Sequence, residues 1–496
     1  METLNSITPL MAITVPIVAV LLIALSGSKP NLREGWTIAA AVTMFIITAS
    51  MIPAVLGGKV ISFNLVEPLP GLLLGFRVDA LGISFALTAS FLWIITSFYA
   101  IGYVRSLGEK NQTRFFAFFA LTLAATMGVA FSANLFTAFV FYEIITFATF
   151  PLVAHKQTDE AFGGARKYLT YLMGTSVAFF LLAIVMTWQV TGSLDFSAGG
   201  IFGDVKESTS STLLIIIFIL YIAGVAKAAL MPFHSWLPSA MVAPTPVSAL
   251  LHAVAVVKTG VFVIIKVVIH VFGVNLLSEL GMGTFLVVLA SVTMILASIT
   301  ALRQDNLKAR LAYSTIGQLS YVVLGVALLT AAGITGSIMH IVIHAFGKIT
   351  LFFAAGAIYV AAHKTKVSEL NGIGRQMPIT MGAFTIGSFS MIGVPPFAGF
   401  LSKWFIASGS VQADMLIIIA VLAASTIINA CYFLPIVYSA FFKEPDVHAG
   451  EEVKDATPFM TVPIMITAAG VLILFLWPSL FYDLATLTVK EVTGGV

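Results

Sequence analysis

Long apolar runs separated by short polar connections make up most of the sequence. About fourteen of these runs are long enough to cross roughly 30 Å of hydrocarbon as α-helices. Their approximate bounds are 8–27, 35–56, 79–103, 115–131, 134–154, 168–190, 212–231, 245–272, 283–302, 311–330, 335–362, 379–407, 412–441 and 459–481. The pattern predicts an all-α polytopic membrane protein with about 14 transmembrane helices.

The composition agrees with a membrane-embedded chain and excludes several other classes. Hydrophobic residues make up 59% of the 496 residues and charged residues 9%, against roughly 25% charged in a soluble domain. The net charge of +3 gives no support for a nucleic-acid partner. The single cysteine, Cys431, excludes a disulfide framework or a thiolate metal cluster within the chain. No basic residue precedes the first run, which predicts a retained helix instead of a cleaved signal peptide.

Basic residues in the connections are distributed unequally between the two membrane faces. With fourteen spans, sixteen Lys and Arg residues fall on one face: Lys29, Arg33, Arg105, Lys110, Arg114, Lys156, Arg166, Lys167, Arg303, Lys308, Arg310, Lys364, Lys366, Arg375, Lys443 and Lys454. The opposite face has four: Lys59, Arg77, Lys206 and Lys490. Because cytoplasmic loops carry an excess of Lys and Arg, the sixteen are predicted to face the cytoplasm and both termini to lie outside.

Ionisable residues also fall inside the predicted spans. They are Glu143 and the lysines Lys227, Lys258, Lys266, Lys348 and Lys403. Unpartnered, these six groups would cost on the order of 15 kcal/mol, at about 2.5–3.5 kcal/mol for each central lysine. The fold can hold them only if they pair, sit in hydrated cavities or lose their charge. Lysine, unlike arginine, gives up its proton when desolvated, which makes these residues candidate proton carriers.

The spacing arranges several of these groups into stripes. His340, His344 and Lys348 follow one another at intervals of four residues, so they share one face of a helix. A second, looser stripe contains Lys258, Lys266 and His270. Such stripes predict the rungs of a proton path that is relayed through water.

Other interpretations of these residues stay open. A lysine near a helix end can extend its amine to the interface, and for Lys266 this is an alternative to a functional role. His340 and His344 could hold a metal or haem, although no third ligand is near them in sequence and HEXXH is absent. They could also be hydrogen-bonded structural histidines.

Two proline-rich segments predict broken helices at membrane depth. The first is LMPFHSWLPSAMVAPTPVS at 230–248, which contains His234, with Lys227 just before it and His252 just after it. The second is IGVPPFAGFLSKWFIA at 392–407, which contains Lys403. Non-helical backbone is tolerated in a membrane where protein or a water-lined cavity satisfies its polar groups. The first break therefore predicts a hydrated hinge beside ionisable side chains.

The two breaks resemble each other and predict an internal repeat. Each combines a Pro-Phe pair, a nearby tryptophan and one lysine, and five spans separate them. An odd number of spans places them in opposite orientations, as in transporters with inverted repeats. The predicted units are three N-terminal helices (1–110), a first five-helix repeat (111–275), a second inverted repeat (276–442) and a C-terminal helix with a tail (443–496).

Several longer motifs occur in this chain. They are YEIITFATFPLV, GVAKAALMPFHSWLPSAMVAPTPVSALLHA, VVKTGVF, RQDNLKARLAYSTIGQLSYV and GVPPFAGFLSKWFI. Together they resemble the antiporter-type subunits shared by respiratory complex I, membrane-bound hydrogenases and Mrp-type multisubunit sodium/proton antiporters, over nearly the whole chain. The resemblance implies fourteen helices with inverted five-helix repeats, in the plasma membrane of a prokaryote.

The resemblance also implies roles for individual residues. Glu143 and Lys227 match a glutamate–lysine pair that gates protonation, and at ~4 Å and an effective dielectric of ~20 such charges attract by about 4 kcal/mol. Lys258 matches the central lysine of the eighth helix, and Lys403 the terminal ionisable residue of the twelfth. The positions His252, His340, His344 and Lys348 match a hydrated central axis. His234, after the first proline of the break, is a further candidate for proton transfer.

The function predicted from these features is proton translocation within a larger complex. A D-type subunit of an Mrp sodium/proton antiporter fits best, with other membrane subunits, protons, Na⁺ and the lipid bilayer as partners and no cofactor or metal of its own. The alternative is a proton-pumping subunit of a redox-driven complex, in which catalysis of bond chemistry would belong to other chains. Three other functions agree less well with the sequence. A solute permease is disfavoured because no arginine lies at depth, and a redox enzyme because no haem or flavin ligands are evident. A scaffold would not explain six buried ionisable groups.

Overall fold

A computed structural model describes residues 2–445 and 453–494, and nearly all of them are helical or connect helices. The α-helices are α1 Thr8–Leu25, α2 Pro30–Ser50, α3 Ile52–Leu56, α4 Ala80–Ser106, α5 Gln112–Ala130, α6 Leu135–Val153, α7 Asp159–Thr175, α8 Leu181–Thr191, α9 Ser211–Gly224, α10 Trp236–Ser239, α11 Thr245–Ala249, α12 Val256–Lys266, α13 Val274–Glu279, α14 Met282–Arg303, α15 Leu307–Ala327, α16 Ala331–Ala362, α17 Ile373–Gln376, α18 Pro378–Ile392, α19 Gly399–Gln412, α20 Ile417–Phe442, α21 Pro458–Leu476 and α22 Ser479–Thr493.

Short π-helical and 3₁₀ turns join or extend some of these helices. The π-helical turns are Ser176–Phe180, Leu250–Val254 and Val267–Phe272, and the 3₁₀ turns are Gly203–Val205, Ala226–Ala228, Ala240–Val242 and Val367–Glu369. Ser176–Phe180 makes one continuous span of α7 and α8. Every run predicted from the sequence overlaps a helix or a pair of helices. Within the described residues, ten helices are long and apolar enough to cross a membrane, with α9 and α18 as shorter apolar helices. The number fourteen stays a prediction.

The structure also contains a small sheet that the sequence pattern did not predict. Its strands are β1 Thr3–Asn5, β2 Val60–Leu69 and β3 Leu72–Val78, with β1 parallel and β3 antiparallel to β2. The amide of Arg77 donates to the carbonyl of Phe131 at 2.6 Å, so β3 lies across the end of α5. Apolar and polar residues alternate only over 61–65, and this short pattern is weak beside the long helical runs on either side of it.

The loops predicted to share a face do contact one another. On the face rich in basic residues, Arg105 pairs with Glu34 and Asn306 forms a bridge with Lys366. On the other face, Lys59 pairs with Glu2 at 3.0 Å, and residues near both termini lie there. The separation of the two faces agrees with the prediction, whereas which face is outside stays predicted.

The centre of the molecule is formed by α16 and α12. The apolar window of the 32-residue α16 is 100% buried, against 33% for α1 and for α20, and every residue of α12 is buried. Helix α16 packs against α4, α11, α15, α18, α19 and α21. These two central helices carry Lys258, His340, His344 and Lys348. These four predicted proton carriers therefore lie in the core and away from lipid.

Candidate functional site

The first predicted break is a real interruption of the helix, and Lys227 lies in it. Helix α9 ends at Gly224, the 3₁₀ turn Ala226–Ala228 follows, and Ala229 has a left-handed φ of 55°. Gly260 on α12 allows this backbone to come close, because a Cβ there would lie 2.1 Å from the amide nitrogen of Ala228. The break therefore presents Lys227 against the central helix α12.

The amine of Lys227 is held by helix α6. Lys227 is completely buried, and its Nζ donates to the carbonyl of Tyr142 at 2.9 Å and to the Oγ1 of Thr146 at 2.6 Å. The Nζ also lies 3.2 Å from the centroid of the Tyr142 ring, a cation–π contact that stabilises a charged amine. These partners accept hydrogen bonds but carry no formal charge.

The expected contact between Glu143 and Lys227 is absent from this conformation. Among the described residues, no ion pair within 4.0 Å includes either side chain, and both carboxylate oxygens of Glu143 are screened from solvent without a hydrogen-bond partner. The reason is helical geometry: Tyr142 and Thr146 are four residues apart on the face of α6 toward Lys227, and Glu143 is rotated by about 100° from Tyr142. Glu143 shares its face with Phe147, which is 53% exposed.

Lys258 and His344 form a direct pair in the core. The Nζ of Lys258 lies 2.7 Å from the Nδ1 of His344, and the two residues are 1% and 0% exposed. An ammonium group has no lone pair, and an imidazolium has none either. The contact therefore requires that at least one partner gives up its extra proton.

His340 continues the line of side chains along α16. Its Nδ1 lies 2.8 Å from the Oγ of Ser402 on α19, and its ring centroid is 5.9 Å from that of His344 and 5.6 Å from that of Tyr321. The Nε2 of His340 is buried and has no hydrogen-bond partner among the described residues. His340 thus links the pair at Lys258 to the helix that carries Lys403.

Lys348 ends the stripe on α16 in a network of hydroxyl groups. Its Nζ donates to the Oγ of Ser314 at 2.6 Å and to the carbonyl of Leu311 at 3.3 Å. The hydroxyl of Tyr432 on α20 donates to the same Ser314 Oγ at 2.8 Å or to Asn429 Oδ1 at 2.7 Å. The network spans α15, α16 and α20 and has no carboxylate in it.

Lys403 lies at the second predicted break, between α18 and α19. Its Nζ donates to the carbonyls of Met391 and Ile392 at 2.9 Å and 2.8 Å, the last two residues of α18. A helix C-terminus carries a partial negative charge, so the break supplies a neutral but polar site for the amine. The Nζ also lies 4.6 Å from the Tyr321 ring centroid.

The two remaining histidine candidates are less closely connected. His234 is half-buried, its ring centroid is 6.5 Å from that of Tyr313, and its Nδ1 has no partner among the described residues. His252 lies in the π-helical turn Leu250–Val254, and its side chain is outside the described part of the structure. No group of three or more His, Cys, Asp or Glu side chains suited to a metal ion occurs in residues 2–445 and 453–494.

Comparison with known proteins identifies the family. Residues 132–429 match the family model described as NADH:quinone oxidoreductase/Mrp antiporter, transmembrane, which is more than half of the chain. The chain belongs to this family. The resemblance inferred from the motifs is confirmed, and the chain is an antiporter-like, multi-pass membrane subunit of the Mrp or complex I-like group.

Relatives of both kinds occur in the NADH:quinone oxidoreductase/Mrp antiporter family. NADH-quinone oxidoreductase subunit N of Desulforudis audaxviator is 32% identical over 81% of this chain and 81% of the relative. The A/B subunit of a probable K(+)/H(+) antiporter of Rhizobium meliloti is 29% identical over 89% of this chain, which spans 44% of that relative. The putative antiporter subunit mnhA2 of Staphylococcus aureus is 28% identical over 85% of this chain and 55% of its own length.

Solved structures establish the fold of this family member along its whole length. A chain of the Mrp complex from Dietzia sp. has a TM-score of 0.84 with 20% identity and covers 98% of this chain and 97% of its own. A chain of a membrane-bound sulfane sulfur reductase, an archaeal respiratory membrane complex, has a TM-score of 0.85 with 22% identity over 98% of both chains. The two complexes differ in kind, so the fold alone does not separate their functions.

Some members of the site had no sequence signal of their own. Thr146, Ser314, Ser402, Tyr432 and Asn429 contact the buried bases or their partners, and uncharged polar residues of these types recur in many of the apolar runs. Hydroxyl groups in membrane helices most often bond to their own backbone. One usable signal was a position next to a predicted base in the sequence, as for Ser402 beside Lys403.

Proposed function

We propose that this chain is the proton-translocating subunit of a multisubunit monovalent cation/proton antiporter of the Mrp type, in the D-type position. The observation that carries the proposal is the buried 2.7 Å contact between Lys258 and His344. It places an amine and an imidazole, both of which can bind and release a proton, in the middle of an apolar molecule. The residue roles below are part of the same proposal.

In this proposal the Lys258–His344 pair carries one extra proton, so one partner is charged and the other is neutral. If both groups were charged, their repulsion at 2.7 Å would be about 6 kcal/mol at an effective dielectric of ~20. The proton can be carried by the amine or by the ring, and it moves from one to the other along the hydrogen bond. A proton arriving from Lys227 therefore expels the one already present.

The path continues from this pair along α16. His344 and His340 are separated by 5.9 Å between ring centroids, a gap that one water molecule can bridge with hydrogen bonds. From His340 the Oγ of Ser402 leads to Lys403, the next residue on α19. Lys348, one turn along α16 from His344, is a second acceptor on the same stripe.

The loading step is assigned to Lys227, Glu143 and the break. In the described conformation Lys227 bonds to Tyr142 and Thr146, and Glu143 is turned away. We assign this geometry to the separated state of the pair, in which the amine has only neutral partners. A rotation of α6 or of the break would bring the two charges together and hold the proton on Lys227.

The driving force distinguishes two versions of this proposal. Antiporter subunits among the relatives support cation exchange, with Na⁺ as the proposed cation. The 32% identity to a subunit N over most of both chains supports the second candidate, a proton-pumping subunit of a redox-driven complex. In both versions the chain lies in the plasma membrane with its basic face toward the cytoplasm and works with other membrane subunits.

One preparation tests function and driver together. The complex is purified from native membranes through a tag on this chain, its subunits are identified by mass spectrometry, and proton movement is followed in everted vesicles. Small hydrophobic chains with Na⁺-dependent proton movement support the Mrp version, and iron–sulfur subunits with NADH-dependent movement support the redox version. Proton movement that persists unchanged after Lys227→Ala and Lys258→Met would contradict both.

A further inference from the structure

A second group of buried charges lies apart from the path through α16. Lys266 is the last residue of α12, and its Nζ is 2.5 Å from the Oδ2 of Asp79, with the side chains 2% and 3% exposed. Asp79 precedes α4, and its Oδ1 accepts a hydrogen bond from the amide of Gly82 at 2.7 Å. Lys266 therefore does not extend its amine to the membrane interface, because the amine points to a buried carboxylate.

His270 lies one turn beyond Lys266, and its ring centroid is 6.2 Å from that of Phe196. It belongs to the π-helical turn Val267–Phe272 and is 2% exposed. Both of its ring nitrogens are buried without a hydrogen-bond partner among the described residues. A buried polar atom left in this state costs about 1–3 kcal/mol, so a purely structural role does not explain an imidazole at this position.

A polar cavity lies close to this group, at Arg77 and Glu491. Arg77, two residues before Asp79, pairs with Glu491 of α22 at 2.9 Å, and the Arg77 side chain is 31% exposed. Both residues line a cavity of about 570 Å³ together with Thr3, Val60, Ser62 and Ala198. Charged groups from β3, α4, α12 and α22 thus run from solvent to the buried end of α12.

The same helix carries the central lysine of the proposed path. Lys258 and Lys266 are eight residues apart on α12, a rise of about 12 Å. Phe262 is four residues from each of them in sequence, and its ring is 5.8 Å from the Lys266 Nζ and 5.1 Å from the Phe85 ring. Water entering beside these rings would connect the central pair with the charges near Lys266.

We propose that Asp79, Lys266 and His270 form the site at which the central path exchanges protons with the aqueous phase on the face that carries the termini. A proton leaving the Lys258–His344 pair through water binds a ring nitrogen of His270. Lys266 passes its own proton to Asp79, from which it reaches the cavity at Arg77 and Glu491, and Lys266 is reloaded from His270. One proton enters and one leaves, with no other bond made or broken. The inference depends on the proposed function.

The decisive variant is Lys266→Arg in the intact complex. Arginine keeps the charge and pairs well with a carboxylate, but it does not release its proton. If the pair with Asp79 only holds α12 against α4, proton movement in everted vesicles stays at the wild-type rate, and the proposal is overturned. If Lys266 carries protons, the rate falls by about a hundredfold, while the assembled complex is recovered in normal yield.

A second variant decides the case if Lys266→Arg fails to assemble. His270→Gln keeps a polar side chain of similar size and removes the ionisable ring, and exposed His363 provides the matched control His363→Gln. We expect a large fall for the first and none for the second; equal wild-type rates would refute the inference. Loss of movement in Lys258→Met with wild-type rates in both cluster variants would overturn the cluster alone, whereas wild-type movement in Lys258→Met would overturn the proposed function itself.

Discussion

Replacing Lys258 with methionine is expected to separate transport from stability. Methionine fills a similar volume without a charge, so the variant avoids an insertion cost of about 2.5–3.5 kcal/mol. His344 loses its bond to Lys258 at 2.7 Å, which costs about 1–3 kcal/mol. The two terms nearly cancel, and stability should change by less than about 2 kcal/mol, while proton movement falls by about a hundredfold or more.

Two measurements on one preparation test this expectation. Proton movement is followed by a pH-sensitive dye in everted vesicles, and thermal unfolding is measured on the detergent-purified complex. Lys110, which is exposed on the basic face, gives the control Lys110→Met, for which neither value should change. A Lys258→Met complex that transports normally would refute the carrier role, and one that fails to assemble would show that the pair with His344 is mainly structural.

Further substitutions test the surroundings of the break and a polar loop. Gly260→Ala places a Cβ 2.1 Å from a backbone nitrogen of the break, so we expect about 1–3 kcal/mol of destabilisation and loss of transport, seen by thermal unfolding and dye assays. Thr146→Val removes the 2.6 Å acceptor of Lys227; losing about 1.4 kcal/mol would slow proton movement about tenfold, and an unchanged rate would contradict the contact's role. Hydrogen bonds from Ser368 lower the pKa of Asp305. The stabilisation of this loop is therefore present above the unfolded pKa of about 4 and lost as pH falls through the folded value. The protection factor of the Ser368 amide against hydrogen exchange should therefore fall at low pH, and this dependence should be lost in Asp305→Asn.

The helices and the buried bases could be predicted from sequence because both depend on composition over a long window. A run such as 335–362 can only be a buried helix, and a lysine such as Lys348 in it has to face protein or water. Which side chains pair depends on how each helix is rotated about its axis. The sequence predicts that rotation to within one residue at best. The family resemblance implied that α6 presents Glu143 to Lys227, whereas in this conformation it presents Tyr142 and Thr146. The strands at 60–78 were missed because their short alternation lies between much stronger helical signals.

The partners of the lysines divide them into two kinds. Lys227, Lys258, Lys348 and Lys403 donate to carbonyls, hydroxyls or an imidazole, and among the described residues none has a carboxylate within 4.0 Å. Such acceptors also serve a neutral amine, which still has two hydrogens to donate, so losing the proton breaks few bonds. Lys266 instead faces the buried carboxylate of Asp79, a partner that carries a formal negative charge when ionised.

In the proposed mechanism, this difference between the lysines sets the order in which protons move along the path. In the proposed mechanism, the proton passes among the four lysines whose hydrogen-bond partners carry no charge. In the same mechanism we expect Lys266 to keep its proton beside Asp79 until a second proton reaches His270, so that release on that face requires the arrival of the next proton. Exchange at the end of α12 would then follow loading at Lys227 and could not run ahead of it, which is the property that a coupled translocator needs and that a simple proton leak lacks.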